Sequence, residues 1–234
     1  MTILLTGASR GIGAAIAAEL ARAGAACIGQ ATRAAPGLIA ADFAQSGAAA
    51  TLWRDALAAA GGEIDVLINN AGVFEANPID RDEADWAADW ARTLQINLVA
   101  AAELCRLAIL HWRACGSGGR IVNIASRAAY RGDSPDHWHY AAAKAGMVAM
   151  TKSIARGYAR EGIYAFALCP GFTMTGMAED YLASRGGDKL LADIPLGRVA
   201  EPAEVAVMAR FCALEAPPSM TGAVLDVNGA SYVR

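Results

Sequence analysis

Tyr140-Ala141-Ala142-Ala143-Lys144 sets a phenol and an amine four residues apart, one turn of a helix, so that both side chains share a face. Ser126 stands fourteen residues before the tyrosine, after the apolar run Arg120 to Ala125. A phenol with a pKa of about 10 exchanges protons poorly at neutral pH, and a lysine cation one turn away favours the phenolate and lowers that pKa. Such a group suits proton transfer to a carbonyl oxygen. Taken alone, a Tyr/Lys pair at this spacing is also an ordinary feature of an exposed helix face.

Near the N-terminus, Thr6-Gly7-Ala8-Ser9-Arg10-Gly11-Ile12-Gly13 follows an apolar run and opens a helical stretch, Gly13 to Ala23, that stops before Gly24. Glycines there permit a tight turn and close backbone approach, and a helix N-terminus offers free N–H groups to a pyrophosphate. The spacing Gly7, Gly11, Gly13 departs from G-x-G-x-x-G, and a structural strand-to-helix turn uses the same residues. Gly7-Ala8-Ser9-Arg10-Gly11 also satisfies G-x-S-x-G, the elbow that presents a nucleophilic serine in α/β-hydrolases. Against that stands order along the chain. Such an elbow follows several strands and its histidine comes late, whereas Ser9 follows the first strand and the last histidine, His139, precedes 95 further residues.

The elements that must position these groups are read from hydrophobic pattern. Seven short apolar runs recur: Thr2 to Thr6, Ala25 to Ala31, Leu38 to Ala41, Ile64 to Ile68, Arg120 to Ala125, Ile163 to Cys169 and Ala223 to Val227. Strands this apolar are buried on both faces, and the Ala-rich stretches between them supply the cover, which predicts a doubly wound parallel sheet flanked by helices. Leu94, Leu98, Ala101, Cys105, Ala108 and Trp112 recur at steps of four and three, a helix closed by Gly116-Ser117-Gly118-Gly119. Only ten residues separate Ala31 from Asp42, and they include the third strand. The crossover helix after the second strand is therefore expected to shrink to a turn around Ala35-Pro36-Gly37.

Composition agrees and excludes alternatives. Of 234 residues 56 are Ala, against 50 Ile, Leu, Val and Phe together, so helices approach the sheet closely over small side chains. The balance of 20 basic and 23 acidic residues, net −3, speaks against a nucleic-acid-binding surface or a disordered tail. Five scattered cysteines, Cys27, Cys105, Cys115, Cys169 and Cys212, read as reduced thiols rather than a disulfide or zinc framework. No apolar run approaches a membrane span, and the first strand, starting at Thr2, leaves no room for a targeting peptide. A soluble cytoplasmic protein is expected.

Taken in order, Thr6 to Gly13, Asn69-Asn70-Ala71-Gly72, Asn97, Ser126, Tyr140 with Lys144, Pro170-Gly171 and Gly222-Ala223-Val224-Leu225-Asp226-Val227-Asn228-Gly229 make the sequence resemble the short-chain dehydrogenase/reductase family along nearly its whole length. Within it the chain is similar to the short branch that includes the 3-oxoacyl-(acyl carrier protein) reductases. The resemblance implies a Rossmann-type dinucleotide-binding catalytic domain over residues 1–234, assembled as a homotetramer or dimer, that reduces a ketone or oxidises a secondary alcohol. It makes Tyr140 the proton donor and Lys144 both the group that lowers its pKa and a ligand of the nicotinamide ribose. It has Ser126 bond the substrate oxygen and Asn97 hold a water linking Lys144 to solvent. Gly7, Ser9, Arg10, Gly11, Ile12 and Gly13 would cradle the cofactor, Asn70, Ala71, Gly72, Pro170, Gly171 and Thr175 border it, and Thr173 meet its carboxamide. Each has a structural alternative: a turn at Asn69-Asn70, a helix-packing Asn97, a strand stop at Pro170-Gly171.

NAD-preferring sites carry an acid roughly 20 residues beyond the glycine loop. The second strand ends instead in Gln30-Ala31-Thr32-Arg33. Arg10, Thr32 and Arg33 suit a 2′-phosphate, so NADP(H) is expected, with Asp42 at the adenine edge by resemblance. An NAD(H)-dependent alcohol or dihydrodiol dehydrogenase is the alternative; a Ser9 hydrolase and a non-catalytic nucleotide sensor stand further off. By resemblance the substrate pocket lies between Arg127 to His139 and a mobile lid over about 172–190, which carries Met174, Met177, Tyr181 and Gly186-Gly187. His137 and His139 lack a third ligand at metal spacing, so no metal is expected.

Overall fold

Each of the seven apolar runs forms a strand, and all pair in parallel in the order β3-β2-β1-β4-β5-β6-β7. The strands are β1 (Thr2–Leu5), β2 (Ala26–Ala31), β3 (Leu38–Ala40), β4 (Val66–Asn69), β5 (Gly119–Ile124), β6 (Ile163–Pro170) and β7 (Val224–Val227). The computed structural model describes residues 1–175 and 187–234, and of 188–190 the backbone alone. The expected lid therefore lies largely outside the described residues, Met177, Tyr181 and Gly186 among them.

Alternation along the strands divides the core. Leu4, Leu67, Ile121 and Ala165 face one layer, where α2 (Ala48–Ala59), α4 (Ala100–Cys115) and α6 (Trp138–Tyr158) pack. Ile3, Leu5, Val66, Ile68, Val122, Phe166 and Leu168 face the other, with α1 (Gly11–Arg22) and α8 (Pro202–Arg210). Small residues make the layers close: Trp112 lies flat on Gly119, where a Cβ would strike the indole, and its Nε1 donates to Ile64 O at 2.6 Å. β1 pairs with β2 on one side and β4 on the other. At that reversal of strand order the C-terminal strand ends open a crevice, the place where doubly wound sheets bind ligands.

The crossover from β2 to β3 holds no helix. Ala35-Pro36-Gly37-Leu38 forms a turn closed by Leu38 N donating to Ala35 O at 3.1 Å, with Gly37 at φ +72°, the type II arrangement that proline and glycine favour. On the other flank, α3 (Glu83–Leu94) and α4 run on through a π turn at Gln95–Val99 as one helical rod. This rod is long and apolar enough to span a membrane, with a mean hydropathy of 1.5 over its most apolar stretch, contrary to the expectation that no segment approaches that length. Half of that stretch is buried within the fold. A short α5 (Ala128–Arg131) follows β5, and α7 (Gly187–Ala192) precedes α8.

Two glycine substitutions should separate backbone geometry from packing, since neither site has a neighbour within 4 Å of an added Cβ. Gly37→Ala places a side chain at positive φ and should cost about 1 kcal/mol. Gly157→Ala, at an exposed position of α6, should gain roughly 0.5–1 kcal/mol. Urea unfolding of the two variants measures both.

Candidate active site

Ser126, Tyr140 and Lys144 converge at the C-terminal end of β5. The Ser126 hydroxyl lies near enough to Tyr140 to favour its phenolate, and Ser126 Oγ accepts from Ala128 N at 3.1 Å. Lys144, buried, donates from Nζ to Ile124 O at 2.9 Å and lies 5.8 Å from the centroid of the Tyr140 ring. The residues that the spacing paired therefore meet around one point.

Their acidities run opposite to the expectation. Burial pushes Tyr140 up to about 12, against the pull of the Ser126 hydroxyl, and burial drives Lys144 down to about 8. Desolvation penalises both charged forms more than the two groups relieve each other at this separation. Tyr140 keeps part of its surface open to the crevice, so the upward push reflects dense packing around the ring.

Asn97, wholly buried in the π turn, uses both polar atoms on one residue: Val73 N donates to Oδ1 at 2.8 Å and Nδ2 donates to Val73 O at 2.9 Å. That bond leaves one amide proton and one lone pair for a water. It holds the Asn70–Val73 segment beside Lys144, and a Cβ on Gly72 would lie 2.8 Å from Asn97 Oδ1 and 3.6 Å from Lys144 Nζ. Beneath runs a buried polar chain: Asn69 Nδ2 donates to Asn123 Oδ1 and Asn123 Nδ2 to Thr151 Oγ1, both at 2.8 Å. It ties β4, β5 and α6 in register.

The glycine loop is braced from two sides. Gly7 N donates to Gln30 Oε1 at 2.8 Å, while Asn70 Nδ2 donates to the Thr6 and Gly7 carbonyls at 3.0 and 3.1 Å. Thr6 Oγ1 accepts from Asn70 N and Ala71 N at 2.9 and 3.0 Å. Neither Thr6 nor Gln30 was singled out from sequence, although Thr6 begins the glycine pattern. A Cβ on Gly13 would overlap the Gly7 carbonyl oxygen, and Gly7 and Gly11 hold φ of +66° and +54°. No side chain caps the start of α1 at Arg10, and its first turn holds no acid. This uncapped, glycine-lined helix start fits the pyrophosphate of a dinucleotide.

Ser9, Arg10, Thr32 and Arg33 are exposed, and among the described residues neither Arg10 nor Arg33 makes an ion pair. Asp42 Oδ1 is engaged by Ala44 N at 3.0 Å. Ile12 packs against the core on the α1 side of the sheet. Gly171 lies against Asn228, and its N–H donates to Val227 O at 3.0 Å. Met174 N and Phe172 O bond Ala200, which turns the N–H and C=O of Thr173 to the opposite side. A Cβ on Gly11 would lie 3.0 Å from Thr175 Cγ2, so the chain after β6 returns to the glycine loop. Ser9 has no histidine: His111 contacts Cys115, His137 Nδ1 lies 2.7 Å from Ser134 Oγ, and the His139 ring packs beside Trp90 and His137.

One neighbour of the tyrosine carried no sequence signal beyond its place after Asn70-Ala71-Gly72-Val73. Phe74 stands edge-on to Tyr140, ring centroids 4.8 Å apart, and stacks on His137 at 3.8 Å. Burial lowers the pKa of both His137 and the wholly buried His139.

A family model for short chain dehydrogenase matches residues 1–186. The chain is 35% identical over 246 residues to the 3-oxoacyl-(acyl-carrier-protein) reductase FabG of Pseudomonas aeruginosa, covering 98% of this chain and 96% of that protein. It is 34% identical over 241 residues to FabG of Vibrio cholerae, with the same coverage, and 33% identical over 241 residues to FabG of Escherichia coli, again with 98% and 96% covered.

The depressed Lys144 leaves a signature in stability. Between about pH 8 and pH 10 the unfolded chain holds a proton on this lysine that the folded chain has shed, so the native protein gains stability as pH rises through that window. Lys144→Met should exceed wild type by about 1–3 kcal/mol at pH 7, and the margin should shrink as pH approaches 10. Urea unfolding across pH checks the sign.

Proposed function

The chain belongs to the short-chain dehydrogenase family, and from that membership we propose that it transfers a hydride between NADP(H) and a ketone or secondary alcohol, with Tyr140 as acid and base. The observation that carries this reading is the meeting of the Tyr140 hydroxyl, Ser126 Oγ and buried Lys144 Nζ at the mouth of the crevice that the glycine loop borders. When bound, the nicotinamide supplies or takes the hydride. Everything else is work for the chain's own side chains.

Ser126 and Tyr140 lie side by side, so a carbonyl oxygen seated between them accepts from both hydroxyls. With its pKa at about 12, Tyr140 reaches the substrate protonated, the state a proton donor needs. As charge develops on the carbonyl oxygen the phenol gives up its proton, and the Lys144 cation offsets the phenolate. Asn97 and Gly72 keep the lysine's surroundings narrow, and the remaining proton and lone pair of the Asn97 amide serve a water on the path to solvent. In oxidation Tyr140 must start as phenolate. Reduction should therefore hold its rate from about pH 6 to 7.5 and fall above about 8, where Lys144 loses its charge, while oxidation favours alkaline pH.

Gly7, Ser9, Gly11, Ile12 and Gly13 take the pyrophosphate at the start of α1, Asn70, Ala71, Pro170, Gly171 and Thr175 line the cofactor, and the Thr173 backbone meets the carboxamide. Arg10, Thr32 and Arg33 select the 2′-phosphate, supported by the absence of an acid at the end of β2 and by both arginines lying exposed without ion pairs among the described residues. Asp42 borders the adenine. We further read residues 1–234 as one catalytic domain acting in the cytoplasm as a homotetramer or dimer. The exposed Val99 and Leu110 on the α3–α4 rod fit a contact between copies.

Tyr140→Phe should lower kcat/KM for ketone reduction about a hundredfold to ten-thousandfold while NADPH binding, followed by its fluorescence, stays within about twofold. Unchanged turnover would overturn the mechanism. Arg33→Ala should raise the KM for NADPH about tenfold and leave that for NADH in place. Equal wild-type use of both nucleotides would remove the 2′-phosphate assignment.

A further inference from the structure

Arg127 follows Ser126 directly, and its backbone N–H donates to Pro170 O at 2.9 Å, so it bridges the ends of β5 and β6. Its guanidinium lies over the Phe172 ring, 5.1 Å from the centroid, and the residue is only 7% exposed. A sealed guanidinium is stable when an anion takes its charge and its donors find acceptors, and costs several kcal/mol otherwise. Here the match is half made. Among the described residues Nη1 is buried without a hydrogen bond, and its carboxylate contact, Asp193 Oδ2, is 3.8 Å away.

The same oxygen receives Arg131 Nη1 at 2.6 Å. Arg131 donates again to Ser231 O at 3.4 Å, so the half-exposed Asp193 is already tied to the fold by the outer arginine. Asp133 acts on Arg127 only through space. Two guanidiniums thus share one adjacent carboxylate, and the inner one, next in sequence to Ser126, has donors to spare. If Arg127 merely fastened the α7 end of the chain, the contact would be short and the outer pair redundant.

We propose that the substrate carries a carboxylate, and that Arg127 binds it while Ser126 and Tyr140 hold the carbonyl. This rests on the carbonyl-reductase reading above. A planar guanidinium edge suits the two oxygens of a carboxylate, and the Phe172 ring fixes the plane of the fork. The substrate class is an oxo acid or the corresponding hydroxy acid.

The test compares straight-chain 2-, 3-, 4- and 5-oxo acids with their methyl esters, using NADPH and the full chain. At least one acid should exceed its ester about 10- to 100-fold in kcat/KM. Arg127→Gln should bring that ratio near one, Arg127→Lys should restore part of it, and Asp193→Asn, which frees the guanidinium of its competitor, should lower the KM for the acid. Should Arg127→Gln fail to fold, the lysine and Asp193→Asn variants decide alone. Equal use of acids and esters by wild type, or an equal fall with both, overturns the proposal and leaves the reductase reading intact. Should no ketone be reduced, that reading fails, and calorimetry with the same acids decides the site separately. Heat from an acid that disappears in Arg127→Gln and survives in part in Arg127→Lys supports it, and no heat from any acid, or heat unchanged in Arg127→Gln, overturns it.

Discussion

A lysine ammonium sealed beneath a phenol is the constraint around which this structure is arranged. Among the described residues Lys144 has one hydrogen-bond partner, Ile124 O, and burial works against its charge, so every wall of its cavity must be held by something else. β5 supplies the carbonyl at its last residue, Gly72 leaves out a side chain, and Asn97 clamps Val73 from across the gap. The Asn69–Asn123–Thr151 chain locks the two strands and α6 that meet there. Each of those polar groups is buried, and each would be expensive if its partner moved. The proton chemistry proposed for Tyr140 is thereby bound to the register of the sheet.

Such a site needs a rigid host. Strands buried on both faces give one, because a shift of one residue in register would exchange the two apolar faces and break both core layers. Alanine and glycine bring the helices near enough for the host to be thin: Trp112 on Gly119, and Gly146 against Leu98 where α6 crosses the π turn. The short turn between β2 and β3 removes a helix without loosening the sheet. Gln30 uses its amide to connect the glycine loop with Ala41, across the site of the missing helix. One side chain thus braces the wall that a longer crossover would otherwise support.

What the sequence disclosed follows from how local each signal is. Strand positions were legible because both faces of a parallel sheet demand apolar residues, and the crossover turn because arithmetic on ten residues left no room for a helix. The Tyr140 and Lys144 pairing was legible because a helix places i and i+4 together. The π turn was not: inserting one residue into the rod preserves the run of Leu94, Leu98, Ala101 and Cys105 on one side, so periodicity passes over it. Acidities were misjudged because the spacing reports proximity between two groups, whereas desolvation comes from chain far away in sequence. Phe74 escaped for the same reason, and Arg127, although it opens the expected pocket segment, gave no sign of its partners. A ring or a guanidinium acquires its meaning from a neighbour distant in sequence, Tyr140 on α6 or Phe172 after β6, that no local pattern names.

Cations at the C-terminal edge of the sheet differ in how deeply they are held, and depth divides their tasks. Lys144 is sealed, so its field is little screened and it can stabilise a phenolate formed only during the reaction. Arg10 and Arg33 are exposed, and each alone contributes little in salt; the 2′-phosphate proposed for them, reached by both together, would change that balance. Arg127 lies between these extremes, buried yet incompletely matched, which makes it the cation most altered by an arriving anion. A net charge of −3 over the whole chain is compatible with all of this, because acidic residues on the outer faces set the total and the four cations at one edge set the local field. The dinucleotide recognition proposed above depends on that edge rather than on the sum.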